Sequence, residues 1–176
     1  MKSRGLSITD ENNATTFLEN VSYFRFAAYL RPMEIDAQHN YKSGATFENA
    51  ISLHDFDARL RHLIFGAIQK IEISLRAKII NQISLQYGSM WFVNSEIAVD
   101  KHKFSDNLST LERELNRSKE EFIKEHINKY GKDEFPPVWK LLELASFGCL
   151  TKLYFNFSDN KIKKSIARSY KVPQHE

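Results

Sequence analysis

Residues 46–88 read TFENAISLHDFDARLRHLIFGAIQKIEISLRAKIINQISLQYG, a run without proline that decides the fold. Thr46 can accept a backbone N–H where a helix starts, and Gly88 can supply the left-handed residue that closes one. Between them Leu60, Ile64, Ala67, Ile71, Leu75 and Ile79 recur every three or four residues, a stripe widened by Phe56, Leu63, Ile68 and Ile83. The spacing predicts one long helix over about 46–87, with this stripe facing a core. Gly66 is its weak point, costing about 1 kcal/mol relative to alanine unless a second helix packs closely there. A kink near HLIFGAI is therefore open.

Outward from this element the other segments also read as helices. Toward the N-terminus, Thr9 or Asp10 can cap a helix in which Phe17, Val21, Phe24 and Ala28 share a face and which Pro32 stops. Residues 33–45 read as a loop. After Gly88, MWFVNSEIAVD is an aromatic connector, and 103–130 forms a very polar helix with a thin stripe: Leu108, Leu111, Leu115, Phe122, Ile123 and Ile127. Such a helix lies over a core rather than inside it. Pro136 and Pro137 suit the start of a further helix that reaches Phe155. A last helix after Asp159 sets Ile162, Ile166 and Tyr170 against its lysines, and Pro173 ends it. With no hairpin signal and no repeat, the fold class is all-α, a multi-helix bundle in a single domain over 1–176.

Composition narrows the function classes. At 176 residues, 42% hydrophobic and 27% charged, the chain is too apolar for a disordered protein. A net charge of +3 is too mild to indicate nucleic acid alone, but Lys161, Lys163, Lys164, Arg168 and Lys171 follow one another without an acidic residue. The single cysteine, Cys149, excludes an internal disulfide, and no apolar run approaches the ~20 residues that span a bilayer. The polar opening MKSRGLSITDENN lacks a signal-peptide core. A cytoplasmic location without membrane contact is expected.

The residues that could carry chemistry are few. Asp55, His62, Gln69 and Arg76 fall every seven residues on the long helix, with Glu72 one turn before Arg76. They form either a solvated face or a polar seam toward a partner or groove. The six histidines form no metal set, and no metal or cofactor is expected. Asp55 and Asp57 point to opposite sides of a helix and so make no carboxylate pair. Cys149 reads as a buried, inert thiol. Arg25, amid the aromatics of VSYFRFAAYL, must reach a partner or the surface. The basic helix can bind phosphates or serve as a soluble face. Arg168 and His175 have the loose spacing of a metal-free ribonuclease pair. Pro173 lies between them and should break the helix before the histidine, so the pairing reads as accidental.

Taken together, several stretches resemble the bacterial Abi (abortive infection) family. LENVSYFRFAAYL is similar to that family's L..I.YYRLSGY. HDFDARLRHLIFGAIQKIEISLRAKI follows its FDR.LR.L…IERIE.SLR helix, though IERIE reads IQKIE here. FPPVWKLLELASFGCLTKLYFNFSD resembles its W…E..SFG.LS segment, and KKSIARSY its next helix. The matching residues include Arg25, Arg59, Arg61, Glu72, Arg76, Trp139 and Glu143. Glu72 and Arg76 are expected to line or brace a groove.

The resemblance implies a HEPN-like fold and a phage-defence effector that acts on RNA as a metal-independent endoribonuclease. In that chemistry a histidine assists attack by the RNA 2′-OH while an arginine stabilises charge on the phosphate, with two protomers pairing their motifs. It further implies RNA as a partner, a homodimer, and an RNA or protein antitoxin. Family members continue to an RN…AHH segment, and the chain is expected to stop before it. That makes it the N-terminal body of a longer domain, inactive as a nuclease. The alternative is a non-catalytic helical module that binds RNA or protein, with Lys161, Lys163, Lys164 and Arg168 as its RNA contacts. A decayed or shortened gene product is a third reading.

Overall fold

The computed structural model describes residues 1–132 and 134–171. Among them are eight α-helices and no strand: α1 (Glu11–Asn20), α2 (Tyr23–Leu30), α3 (Phe47–Tyr87), α4 (Lys101–Arg117), α5 (Glu121–Tyr130), α6 (Val138–Leu141), α7 (Phe147–Asn156) and α8 (Asn160–Arg168). The all-α class expected from the periodicities is what the chain adopts. It divides into two compact units, Met1–Ile68 and Gln69–Glu176, and α3 contributes to both.

In the first unit, Asp10 caps α1 by accepting the Asn13 N–H at 3.0 Å. The single helix expected up to Pro32 is two helices, because Val21 is extended (φ −119°, ψ 105°). Phe24 consequently stands 92% exposed rather than sharing the apolar face. The break lets Phe17 and Phe26 meet edge to face at 5.0 Å, with Phe26 at 4.8 Å from Phe47. These rings join Leu6, Leu30 and Ala50 in a core that a straight helix could not have filled. Each fully buried large apolar side chain stabilises by about 1.5–3 kcal/mol.

Thr46 caps α3 as expected, its Oγ accepting the Asn49 N–H at 3.1 Å, and Gly88 closes it at φ 80°. The helix passes unbroken through Gly66, where a Cβ would meet nothing within 4 Å. The stripe departs from expectation. Only its last part, Leu75, Ile79 and Ile83, packs into a core. Phe56, Leu60, Leu63, Ile64, Ile68 and Ile71 are exposed, from 42% at Leu60 to 71% at Leu63. Periodicity defines a face but does not supply what covers it.

In the second unit, Ile79, Leu111, Ile123, Val138, Leu142 and Leu150 are among the residues of one core. The polar helix expected over 103–130 is α4 and α5, parted at Ser118, whose Oγ accepts the Glu120 N–H at 3.2 Å. The helix expected from the prolines to Phe155 is also interrupted. After α6 comes a tight 3-10 turn, Leu142–Leu144, then Ala145 turns extended and Ser146 caps α7 by accepting the Cys149 N–H. In both places a serine offers the backbone an alternative partner, which ends the helix as effectively as proline does. Asp159 caps α8 as expected, with Ile162 and Ile166 buried. Tyr170 donates to Ser74 Oγ at 2.8 Å, and Tyr87 donates to Asp159 at 3.0 Å. Pro173 and His175 lie outside the described residues, so the helix break and the Arg168–His175 pairing placed there fall outside as well.

Candidate functional site

The strongest grouping of the expected residues centres on Arg76. The i,i+4 spacing on α3 sets Glu72 one turn away, and its Oε1 accepts from Arg76 Nη2 at 2.8 Å. The break before α7 leaves the Ala145 carbonyl turned out of any helix, and the same Nη2 donates to it at 2.9 Å. Glu143, in the preceding turn, lies 3.5 Å from Nη1. The Arg76 side chain is only 15% exposed. Its Nε has no hydrogen-bond partner among the described residues. An arginine so held orders the joint between the 3-10 turn and α7, because its fork fixes two directions at once. Glu143, read separately from the sequence, thus joins in one brace the Glu72–Arg76 pair that the spacing on α3 already set together.

A second grouping lies within the first unit. Tyr29 donates to Asp57 Oδ2 at 2.5 Å, and Arg61 reaches the same carboxylate at 2.9 Å and the Tyr29 hydroxyl at 3.5 Å. The hydrogen bond to Asp57 raises the Tyr29 hydroxyl above its ordinary value, burial adds to this, and the charges of Arg61 and Arg25 act against it. His54 packs on Tyr29 and Phe17 and bonds to Asp55 at 3.1 Å. Arg25 is exposed, which settles its charge at the surface. Arg59 is also exposed and, among the described residues, bonds at 3.4 Å to the Asp55 carbonyl of its own helix. Sequence reasoning missed Tyr29, although it stands inside VSYFRFAAYL. Its partner lies 28 residues away, and no local pattern carries that distance.

The remaining candidates stand apart. Trp139 is half-exposed in an open groove with His126, Tyr130 and Pro137. His126 is buried, its Nε2 at 3.1 Å from the Glu134 carbonyl. On α8, Lys161, Lys164 and Arg168 are exposed. Lys163 is half-buried, with its carbonyl accepting from Tyr154. Of the seven-residue strip on α3, Asp55, His62 and Gln69 are exposed while Arg76 is taken into the brace. Cys149 is buried, which pushes its thiol above the ordinary value and keeps it protonated at neutral pH, as an inert thiol should be. Among the described residues, no group of three or more metal-ligating side chains comes together, and no helix is long and apolar enough to cross a membrane.

Comparison of the chain with curated proteins and with solved structures gives no match. A comparison with protein families does. The model described as Abi-like protein matches residues 16–176, a stretch that holds Tyr29, Asp57 and Arg61 as well as the Arg76 brace. The chain belongs to the Abi-like protein family.

Proposed function

We propose that this chain is an abortive-infection protein of HEPN-like type that acts on RNA, and that the outer face of α8 is where it meets the strand. The observation that carries this reading is the division of α8. Ile162 and Ile166 are buried, while Lys161, Lys164 and Arg168 stand exposed on a helix without an acidic residue. Each cation that neutralises a phosphate releases counterions, so binding weakens with salt. Membership in a family named for phage defence supports the same reading.

Three such contacts to a single strand predict an affinity roughly 20-fold lower at 200 mM than at 50 mM salt. The triple substitution Lys161→Glu, Lys164→Glu and Arg168→Glu should abolish that dependence, as read by fluorescence anisotropy of a labelled single-stranded RNA. Affinity indifferent to both salt and the substitutions would remove α8 as the contact. The chain's own residues are assigned recognition, so the RNA should remain intact at neutral pH. Cleavage that disappears in His175→Ala would reassign Arg168 and His175 as the reacting pair. The homodimer expected from the resemblance is supported by the exposed apolar stripe of α3, since a patch of several large apolar side chains marks an interaction surface.

A further inference from the structure

The second unit contains a cleft of about 500 Å³ between α4 and α7 that neither the brace nor the α8 face uses. Buried asparagines stand at its wall, and they differ. Asn156 is satisfied: its Oδ1 accepts the Asp100 N–H at 3.0 Å and its Nδ2 donates to the Asp100 carbonyl at 2.9 Å. This pair of hydrogen bonds ties the two helices together at one end of the cleft. Asn107 is 6% exposed, and its amide has no hydrogen-bond partner among the described residues. Among the described residues that amide is not one of the fully buried polar groups left without a partner, so it keeps access to the cleft it lines, where a ligand can meet it.

The residues around Asn107 describe that ligand. Phe155 stands at the rim with its ring 73% exposed, a surface on which a base can stack. Lys152 is exposed at the same rim with no carboxylate bonded to it among the described residues, and Lys103 lies across the cleft, 3.7 Å from Asp100. Asp106 is exposed beside Asn107, 3.4 Å from His102. The Asp100 carboxylate is taken up by the first amides of α4, where it accepts from His102 and Lys103. An amide can read a base edge, a carboxylate can take ribose hydroxyls, and an ammonium can hold a phosphate.

We propose that the α4–α7 cleft binds a ribonucleotide, with its base on Phe155 and Asn107, its ribose on Asp106 and its phosphate on Lys152 and Lys103. The ligand is either a free mononucleotide or one nucleotide of an RNA strand. The proposal stands independently of the α8 reading. Asn107 also borders a small half-open cavity with Trp91, whose indole N–H lacks a partner among the described residues, so a single bound water is the competing explanation of that amide.

Calorimetric titration of the full chain with AMP, GMP, CMP and UMP, with dAMP and inorganic phosphate as controls, tests the site. Phe155→Ala is the primary variant because an exposed ring can be removed without disturbing the core, and Asn107→Ala is the second. A ribonucleotide that binds at least tenfold tighter than dAMP and phosphate, and loses about tenfold in Phe155→Ala, supports a free ligand. Binding only to single-stranded RNA, weakened about tenfold by Phe155→Ala in a protein that already carries the α8 substitutions, supports a nucleotide of a strand. Mononucleotide binding should survive those α8 substitutions, which separates failure of this site from failure of the α8 reading. Affinities for nucleotide and RNA that neither variant changes overturn the proposal and leave the Asn107 amide to water.

Discussion

Arg76 shows how one side chain settles a local question. Its fork spans Glu72, Glu143 and the Ala145 carbonyl, so removing it leaves a buried acceptor and two carboxylates without their cation. Arg76→Met should therefore cost about 2 kcal/mol of stability, the usual worth of hydrogen bonds to a charged group. Arg59→Met should be neutral by the same urea titration, since Arg59 is exposed and its hydrogen bond among the described residues is to its own helix. Stability unchanged in Arg76→Met together with lost RNA affinity would turn the brace into a contact. Half of this arrangement was legible in the sequence, because i,i+4 spacing alone pairs Glu72 with Arg76. The other half was not. The Ala145 carbonyl lies 69 residues away and is free only because a serine-capped break precedes α7.

Among the elements, α3 separates what a pattern encodes from what it leaves out. Its ends were readable from Thr46 and Gly88, as were the starts of α1 and α8 from Asp10 and Asp159, because a cap acts through chemistry within three residues. The breaks at Val21, Ser118 and Ala145 were not, since neither glycine nor proline marks them. The stripe was legible as a face but not as a surface, because exposure depends on partners that periodicity does not name. Leu63 and Ile79 make the contrast measurable. Ile79→Ala, in the core, should cost about 2–5 kcal/mol. Leu63→Ser should move the stability of dilute protein by no more than about 0.5 kcal/mol. At high concentration Leu63→Ser should lower the mass seen by light scattering if copies meet on this stripe. A large loss of stability in dilute Leu63→Ser would place that stripe in a core after all.

The whole molecule carries a pH signature with two limbs. Asp36, Glu48, Glu96, Asp100 and Asp159 are all held below their ordinary values, whereas Tyr29, Tyr41 and Tyr87 are held above theirs. Burial alone would raise Asp159, but the hydrogen bond from Tyr87 and those from the α8 amides outweigh it. A depressed carboxylate stabilises above its ordinary value, here 3.8, and loses that contribution as pH falls through its lower folded value. A raised phenol stabilises below its ordinary 10.0 and loses that contribution as pH rises through its folded value. The melting temperature should thus be level between those limits and fall on either side. Tyr87→Phe should make both limbs shallower, because its hydrogen bond to Asp159 contributes to a shift on each side; a variant with unchanged limbs would assign them to the other groups. The family match crosses the division between Ile68 and Gln69, so both units belong to what the family shares.

A helix is ordinarily loosest at its tips. In α3 the order is reversed: Phe47 and Ala50 anchor one end, Ile79 and Ile83 the other, and the bare span with Gly66 lies between. Backbone held by its own hydrogen bonds and little packing is the first to open. Heat or a protease therefore meets the softest part of the longest element at its centre. Each side of such a cut would keep a core of its own.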